Sequence, residues 1–306
     1  MGERPPSLVR RREHRVREVT RLVLVAMRRD RVSVAAGAFA YRWFLSVFPL
    51  IIALLGAASL VTLPHHVVVS LIHGVTIALP SGAASVITSS LDHAQQHARG
   101  GLAATIVASL VALWSSTSGM VVVEEGLDMA FGLASDRGFV ERRLVALPLL
   151  LGSVVLGGAA SALTVFGASL GRVFHRVVAV PGALSTITWD VLRWVVALAL
   201  VNLLLSMIYF VAPNRRSRWR WTSAGALVAT ATWALVSLGF SLYTSEFTSF
   251  GSTYGAFAGV AILIFWLYLS GLAILLGAEV NAVLEGLHAG DATSDAPSPG
   301  DGVPSK

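Results

Sequence analysis

The chain has 306 residues, 55% hydrophobic and only 13% charged, which excludes an ordinary soluble domain, where about a quarter of residues carry charge. It has no cysteine, which excludes disulfides, thiolate metal sites and cysteine nucleophiles. The net charge of +6 would suggest nucleic-acid binding in a soluble protein, but its placement along this chain is better explained by membrane topology.

Residues 1–33 hold ten arginines and read as a basic cytoplasmic arm. Val16, Val19, Val23, Ala26 and Met27 recur at helical spacing, so a short helix is expected on the membrane surface with its arginines near lipid phosphates. Simple positive-inside flanking charge explains the same residues equally well. Val34 to Leu63 is a run with a single charge, Arg42, and it exceeds the roughly 18 apolar residues that mark a membrane span. It is too long for a signal-peptide core and is read as an uncleaved first span. Arg42 is the anomaly. An ionisable group there costs about 2.5–3.5 kcal/mol, so it needs an acidic partner, or its long side chain snorkels toward the basic end. Ser46 is a further polar residue of this span, and Pro49 is its natural kink.

Pro64 to Gly100 reads as two short helices at the outer interface. His93 and His97 in that stretch, with Asp92, are better explained as solvated polar residues than as metal ligands. The second span, Gly101 to Val123, carries Ser115, Ser116, Thr117 and Ser118, small hydroxyl residues suited to cross-helix hydrogen bonds. It ends in Glu124, Glu125 and Asp128, and a basic loop with Arg137, Arg142 and Arg143 follows. Leu144 to Leu170 forms the third span, with Ser153, Gly157 and Ser161 spaced for close packing. Gly167-Ala168-Ser169-Leu170-Gly171 matches the nucleophile-elbow pattern, but an elbow needs a strand before its turn. At the end of a lipid-spanning helix these small residues read as packing.

The fourth span, Val191 to Ala212, has Asn202 in its middle and is followed by a turn holding Arg215, Arg216, Arg218 and Arg220. Thr222 to Tyr243 is the fifth span and Tyr254 to Leu284 the sixth. Gly251, Gly255 and Gly259 suit close helix approach, and Glu279 and Asn281 lie near the end of the sixth span. Residues 286–306 are rich in Gly, Ala, Asp, Ser and Pro and are expected to be a disordered tail.

Basic residues number 10, 3 and 4 in the arm and the loops after spans two and four, against Arg99, Arg172, Arg176 and Arg193 on the other side. The positive-inside rule then places both termini in the cytoplasm. The expected fold is an all-α polytopic membrane helix bundle: six transmembrane helices over residues 34–285, short interfacial helices, and a cytoplasmic tail. Arg42, Ser46, Ser115, Ser116, Asn202, Glu279 and Asn281 form the candidate intramembrane polar site. Glu279, Glu124 and Glu125 are the candidate ion-pair partners of Arg42.

Several separated pieces carry a resemblance. They are Ala40-Tyr41 with Leu45-Ser46-Val47-Phe48-Pro49, then Leu79-Pro80, Leu113-Trp114-Ser115, and Tyr209-Phe210-Val211-Ala212-Pro213-Asn214. Tyr254-Gly255, Phe265-Trp266-Leu267-Tyr268-Leu269 and Leu276-Gly277-Ala278-Glu279-Val280-Asn281 complete the set. In this order they resemble the YihY/virulence factor BrkB family of six-span inner-membrane proteins, over roughly Asp30 to Leu284. Asp128 stands where Asn is expected, and Arg42 where an aromatic or small residue is more usual. The resemblance implies a place in the bacterial envelope, a description as transport machinery, and an older label as a tRNA-processing ribonuclease.

Taken with what the resemblance implies, the polar residues favour a multi-pass protein of the bacterial cytoplasmic membrane acting as a transporter or flippase-like permease for a lipid or small amphipathic solute. A non-transporting scaffold for envelope machinery is the alternative. Ribonuclease activity fits least, because a nuclease needs a carboxylate cluster or acid–base pair in a water-exposed domain with a basic groove. No catalytic residue, metal site or cofactor is expected; the expected partners are membrane lipids and envelope proteins, not nucleic acid.

Overall fold

The computed structural model describes residues 7–60, 101–133, 137–164, 167, 171, 182–214, 222–246 and 251–294. Among them every regular element is helical. The outer stretch from Pro64 to Gly100, with Asp92, His93 and His97, lies outside the described residues, as does the basic turn from Arg215 to Arg220.

Helix α1 (Ser7–Arg29) is longer than the expected arm helix and is strongly amphipathic. It packs against the last and first spanning helices, burying Val23 and Ala26 while Val16, Leu24 and Val25 stay exposed. Arg31, with φ of 48°, takes the left-handed conformation that turns the chain into α2 (Val32–Leu60). Then come α3 (Gly101–Ala130) and α4 (Phe139–Gly152), the latter running straight into a π-helical stretch, Ser153–Gly157. The remaining helices are α5 (Gly182–Val211), α6 (Ala224–Glu246) and α7 (Gly251–Ser294). Helix α7 continues past Leu284 to Ser294, so the tail expected from residue 286 begins helically; a helix already formed extends through Leu287-His288-Ala289 without a new nucleation cost.

Among the described residues four stretches are long and apolar enough to cross a bilayer: Phe139–Thr164, Ile187–Val211, Ala224–Tyr243 and Gly259–Leu287. They match the third to sixth spans read from the sequence. Helices α2 and α3, of 29 and 30 residues, exceed the roughly 20 residues a span requires. The outward faces are apolar: Leu144, Val155, Leu235 and Leu238 are 66%, 65%, 70% and 61% exposed. Such surface is costly in water and neutral against lipid tails.

The helices close into a ring. Each of α2 to α7 packs on the next in sequence, α4 meeting α5 partly through the π-helical stretch, and α7 returns to α2. Glycine permits the tightest crossings. At Gly225 in α6 and Gly277 in α7, a Cβ on either residue would run into the other's carbonyl oxygen. At Gly271 a Cβ would lie 2.9 Å from the Phe39 ring of α2.

The π-helical stretch departs from the expected packing stripe of Ser153, Gly157 and Ser161. A π turn brings residues about five apart onto one face, so Gly152 and Gly157 are the pair that meets α5, at Met207 and Leu204. Ser153 instead donates to the Leu149 carbonyl of its own helix at 2.7 Å. The elbow-like pattern is packing: Gly167 and Gly171 lie against the side chains of Arg193 and Trp189, and Trp189 donates to the Gly167 carbonyl at 2.7 Å.

Candidate functional site

Polar side chains gather at the end of the ring where α1, the α3–α4 loop and the start of α6 lie. The last carbonyls of a helix lack intrahelical donors and need them from elsewhere. For α5 Arg137 supplies them: its Nη1 donates to the Ala212 carbonyl at 2.7 Å and its Nη2 to the Pro213 carbonyl at 3.2 Å. The same guanidinium sits 3.4 Å from Glu124, and the Asn214 backbone N–H donates to Asp128 at 2.7 Å. Glu125 pairs with Arg142 at 2.6 Å. Helix α3, the following loop and the end of α5 are thereby tied together.

A second cluster organises the start of α6. Ser223 caps it by accepting from the Ala226 N–H at 3.1 Å, as an N-cap serine does. Asn281, reaching across from α7, accepts from the Gly225 N–H at 2.8 Å and donates to Ser223 at 3.0 Å. Asn202 in α5 donates to Thr230 at 3.2 Å and accepts from Thr222 at 2.7 Å. Tyr209 donates to the Ile274 carbonyl of α7 at 2.6 Å. Asn202 and Asn281 are therefore interhelical clamps with their hydrogen bonds used inside the protein.

Glu279 differs. It is 1% exposed, and no amide, hydroxyl or basic side chain among the described residues donates to its carboxylate; the group within hydrogen-bonding range is a second carboxylate, Asp30. Its charged neighbours are Asp30 and Arg29 at the joint between α1 and α2. Arg29 is committed to Asp30 by two hydrogen bonds of 2.8 and 2.9 Å, and that carboxylate raises the pKa of the exposed Arg29. Ser206 in α5 and Ser270 in α7 are likewise buried with unused hydroxyls.

The expected partners of Arg42 are not its partners. Glu124 and Glu125 are taken by Arg137, just before α4, and Arg142, in its first turn. Glu279 faces α1 instead. Arg42 is exposed, with no carboxylate in salt-bridge range among the described residues. Ser46 donates to the Arg42 carbonyl at 2.7 Å, so its hydroxyl is spent on its own helix. The side chains of Ser115, Ser116, Pro49, Gly251 and Gly255 lie outside the described residues; Gly259 belongs to α7.

Sequence reasoning counted Arg137, Arg142 and Arg143 only as topological charge. Tyr209, Gly277 and Asn281, in contrast, all fall within the pieces that carried the resemblance.

The family profile of virulence factor BrkB matches residues 23–301. The chain belongs to the virulence factor BrkB family. Among relatives, this BrkB-family chain is 32% identical over 245 residues to YfkH of Bacillus subtilis, named as ribonuclease-like, covering 80% of this chain and 87% of the relative. It is 28% identical over 274 residues to a UPF0761 membrane protein of Alteromonas mediterranea, covering 88% of each. A UPF0761 membrane protein of Vibrio atlanticus is 27% identical over 271 residues, 87% of this chain and 82% of the relative. No solved structure matches the BrkB-family chain. Together with the apolar helices, these relatives make it a multi-pass membrane protein.

Proposed function

We propose that this BrkB-family protein spans the bacterial cytoplasmic membrane six times, with both termini inside, and moves a lipid or small amphipathic solute across it. Glu279 carries the reading. A buried carboxylate that receives no donor among the described residues and has a second carboxylate, Asp30, as its hydrogen-bonding neighbour destabilises a membrane helix bundle, and such groups mark the paths along which transported molecules or ions pass. The unused hydroxyls of Ser206 and Ser270 supply further polar contacts of the kind a passing headgroup needs.

The test is flux through purified protein in liposomes, with labelled anionic lipids and a panel of small solutes. Activity is expected for the natural chain, and Glu279→Gln is expected to slow it while leaving the protein folded. No flux across the panel from folded protein would overturn transport in favour of a scaffold for envelope machinery. The name of the Bacillus relative raises catalysis on RNA, the reading these residues support least: Arg137 and Arg142 are engaged with backbone carbonyls and carboxylates.

A further inference from the structure

Among the described residues Arg42 has no carboxylate in salt-bridge range, but it has a basic neighbour. Trp43 and Ser46 bring α2 against Gly119 of α3, Trp43 donating to the Gly119 carbonyl at 3.2 Å. A little further along α3, Trp114 is half exposed. Arg143 of α4 covers it, with the guanidinium carbon 4.5 Å from the Trp114 ring centre and 5.6 Å from that of Phe139. Arg143 also donates to the Trp114 carbonyl and the Thr117 hydroxyl, both at 2.6 Å. Every described partner of Arg143 is thus neutral, and Arg42 lies within electrostatic reach of it. Glu124 is also within reach, but its ion pair is with Arg137.

Two guanidinium groups held near each other repel, and the repulsion grows as the dielectric falls. The surroundings here are apolar and face outward: Tyr41, Leu45, Phe139, Val140 and Leu144 are 62%, 48%, 65%, 68% and 66% exposed. Counting from Val32, Arg42 lies ten residues into α2, roughly 15 Å along its axis. Two cations on a lipid-facing surface, flanked by Trp114 and Phe139, complement one molecule of the surroundings: an anionic lipid, with its phosphate between the arginines and its chains against the exposed aliphatics. Arginine suits the role because its planar fork binds phosphate oxygens while stacking on aromatic faces.

We infer that Arg42 and Arg143, framing Trp114, form a binding site for the phosphate headgroup of an anionic phospholipid in the leaflet nearest α1. The inference deepens the transport reading by naming the chemistry met at the lipid boundary. Binding and flux are measured separately, so either fails without the other.

The test uses the full chain in nanodiscs containing brominated phosphatidylglycerol or brominated phosphatidylcholine, and reads fluorescence quenching at Trp114 as the difference from Trp114→Phe. Stronger quenching by the glycerol lipid is expected. Arg42→Gln should reduce that preference about fivefold, the factor matching about 1 kcal/mol per basic residue at an anionic surface, and Arg42→Lys should keep part of it. Arg143→Gln should act likewise, with Arg143→Lys as the folded reference if the tie to α3 is lost. Arg17→Gln and Arg21→Gln, on the exposed side of α1, should leave the preference intact. Equal quenching by both lipids, no change in Arg42→Gln, or equal losses from the α1 variants would overturn the site. Displacement by soluble glycerol phosphate would make it a site for a free anion and overturn the lipid assignment.

Discussion

Arg137 reaches Glu124 at 3.4 Å while donating to the Ala212 carbonyl at 2.7 Å, so one side chain neutralises the end of α3 and caps the end of α5. Removing it strands a buried carboxylate and the two carbonyls that follow α5 at once. Arg137→Ala should cost about 3–5 kcal/mol, the range for breaking a buried pair from one side, read as a lowered thermal midpoint in detergent. Glu124→Gln in that background should recover part of the loss; no recovery would mean that Arg137 acts on the carbonyls alone.

Asp128 accepts from the Asn214 N–H with one oxygen. An asparagine retains that acceptor, so Asp128→Asn should change stability by less than about 1 kcal/mol. Asp128→Ala, which leaves a part-buried N–H without a partner, should cost about 1–3 kcal/mol. The same melting experiment compares the two, and equal losses would remove the hydrogen bond as the reason for this residue.

Arg42→Ala should leave stability within about 0.5 kcal/mol, as expected for an exposed side chain without a partner. Exchanging charges between Arg42 and Glu279, Glu124 or Glu125 should restore nothing. A marked loss in Arg42→Ala, repaired by one of the exchanges, would reinstate an ion pair.

Gly277→Val should destabilise the contact between α6 and α7. Its side chain would be driven into the Gly225 carbonyl and the Tyr209 hydroxyl, and overpacking of a close-packed site costs about 1–3 kcal/mol or more. The measurement is yield of monodisperse protein together with its melting midpoint; wild-type behaviour would show that α6 and α7 separate freely.

The third to sixth spans were legible because lipid demands long apolar helices, and a run such as Val191 to Ala212 has no other use. The basic arm showed its helix through the spacing of Val16, Val19 and Val23. What could not be read was which charged groups meet. Glu124, Glu125 and Glu279 all sit near helix ends, and only the packing of α4 against α3 decides that Arg137 and Arg142 reach the first two. The π-helical stretch was also hidden, because Ser153-Val154-Val155-Leu156-Gly157 has the composition of ordinary helix, and the cue lies in the fit of Gly152 and Gly157 to α5. Asn281 was singled out as polar and intramembrane, yet its role as a cap depends on Gly277 letting α6 come close enough to be capped.

That closeness has a mechanical result. With backbone touching backbone at Gly225 and Gly277 and Asn281 pinned to the first turn of α6, α6 and α7 have no slack to slide and behave as one rigid blade. Any opening of the ring is then expected away from that pair, and among the described helix contacts the one made through an irregular helix is the π-helical stretch where α4 meets α5.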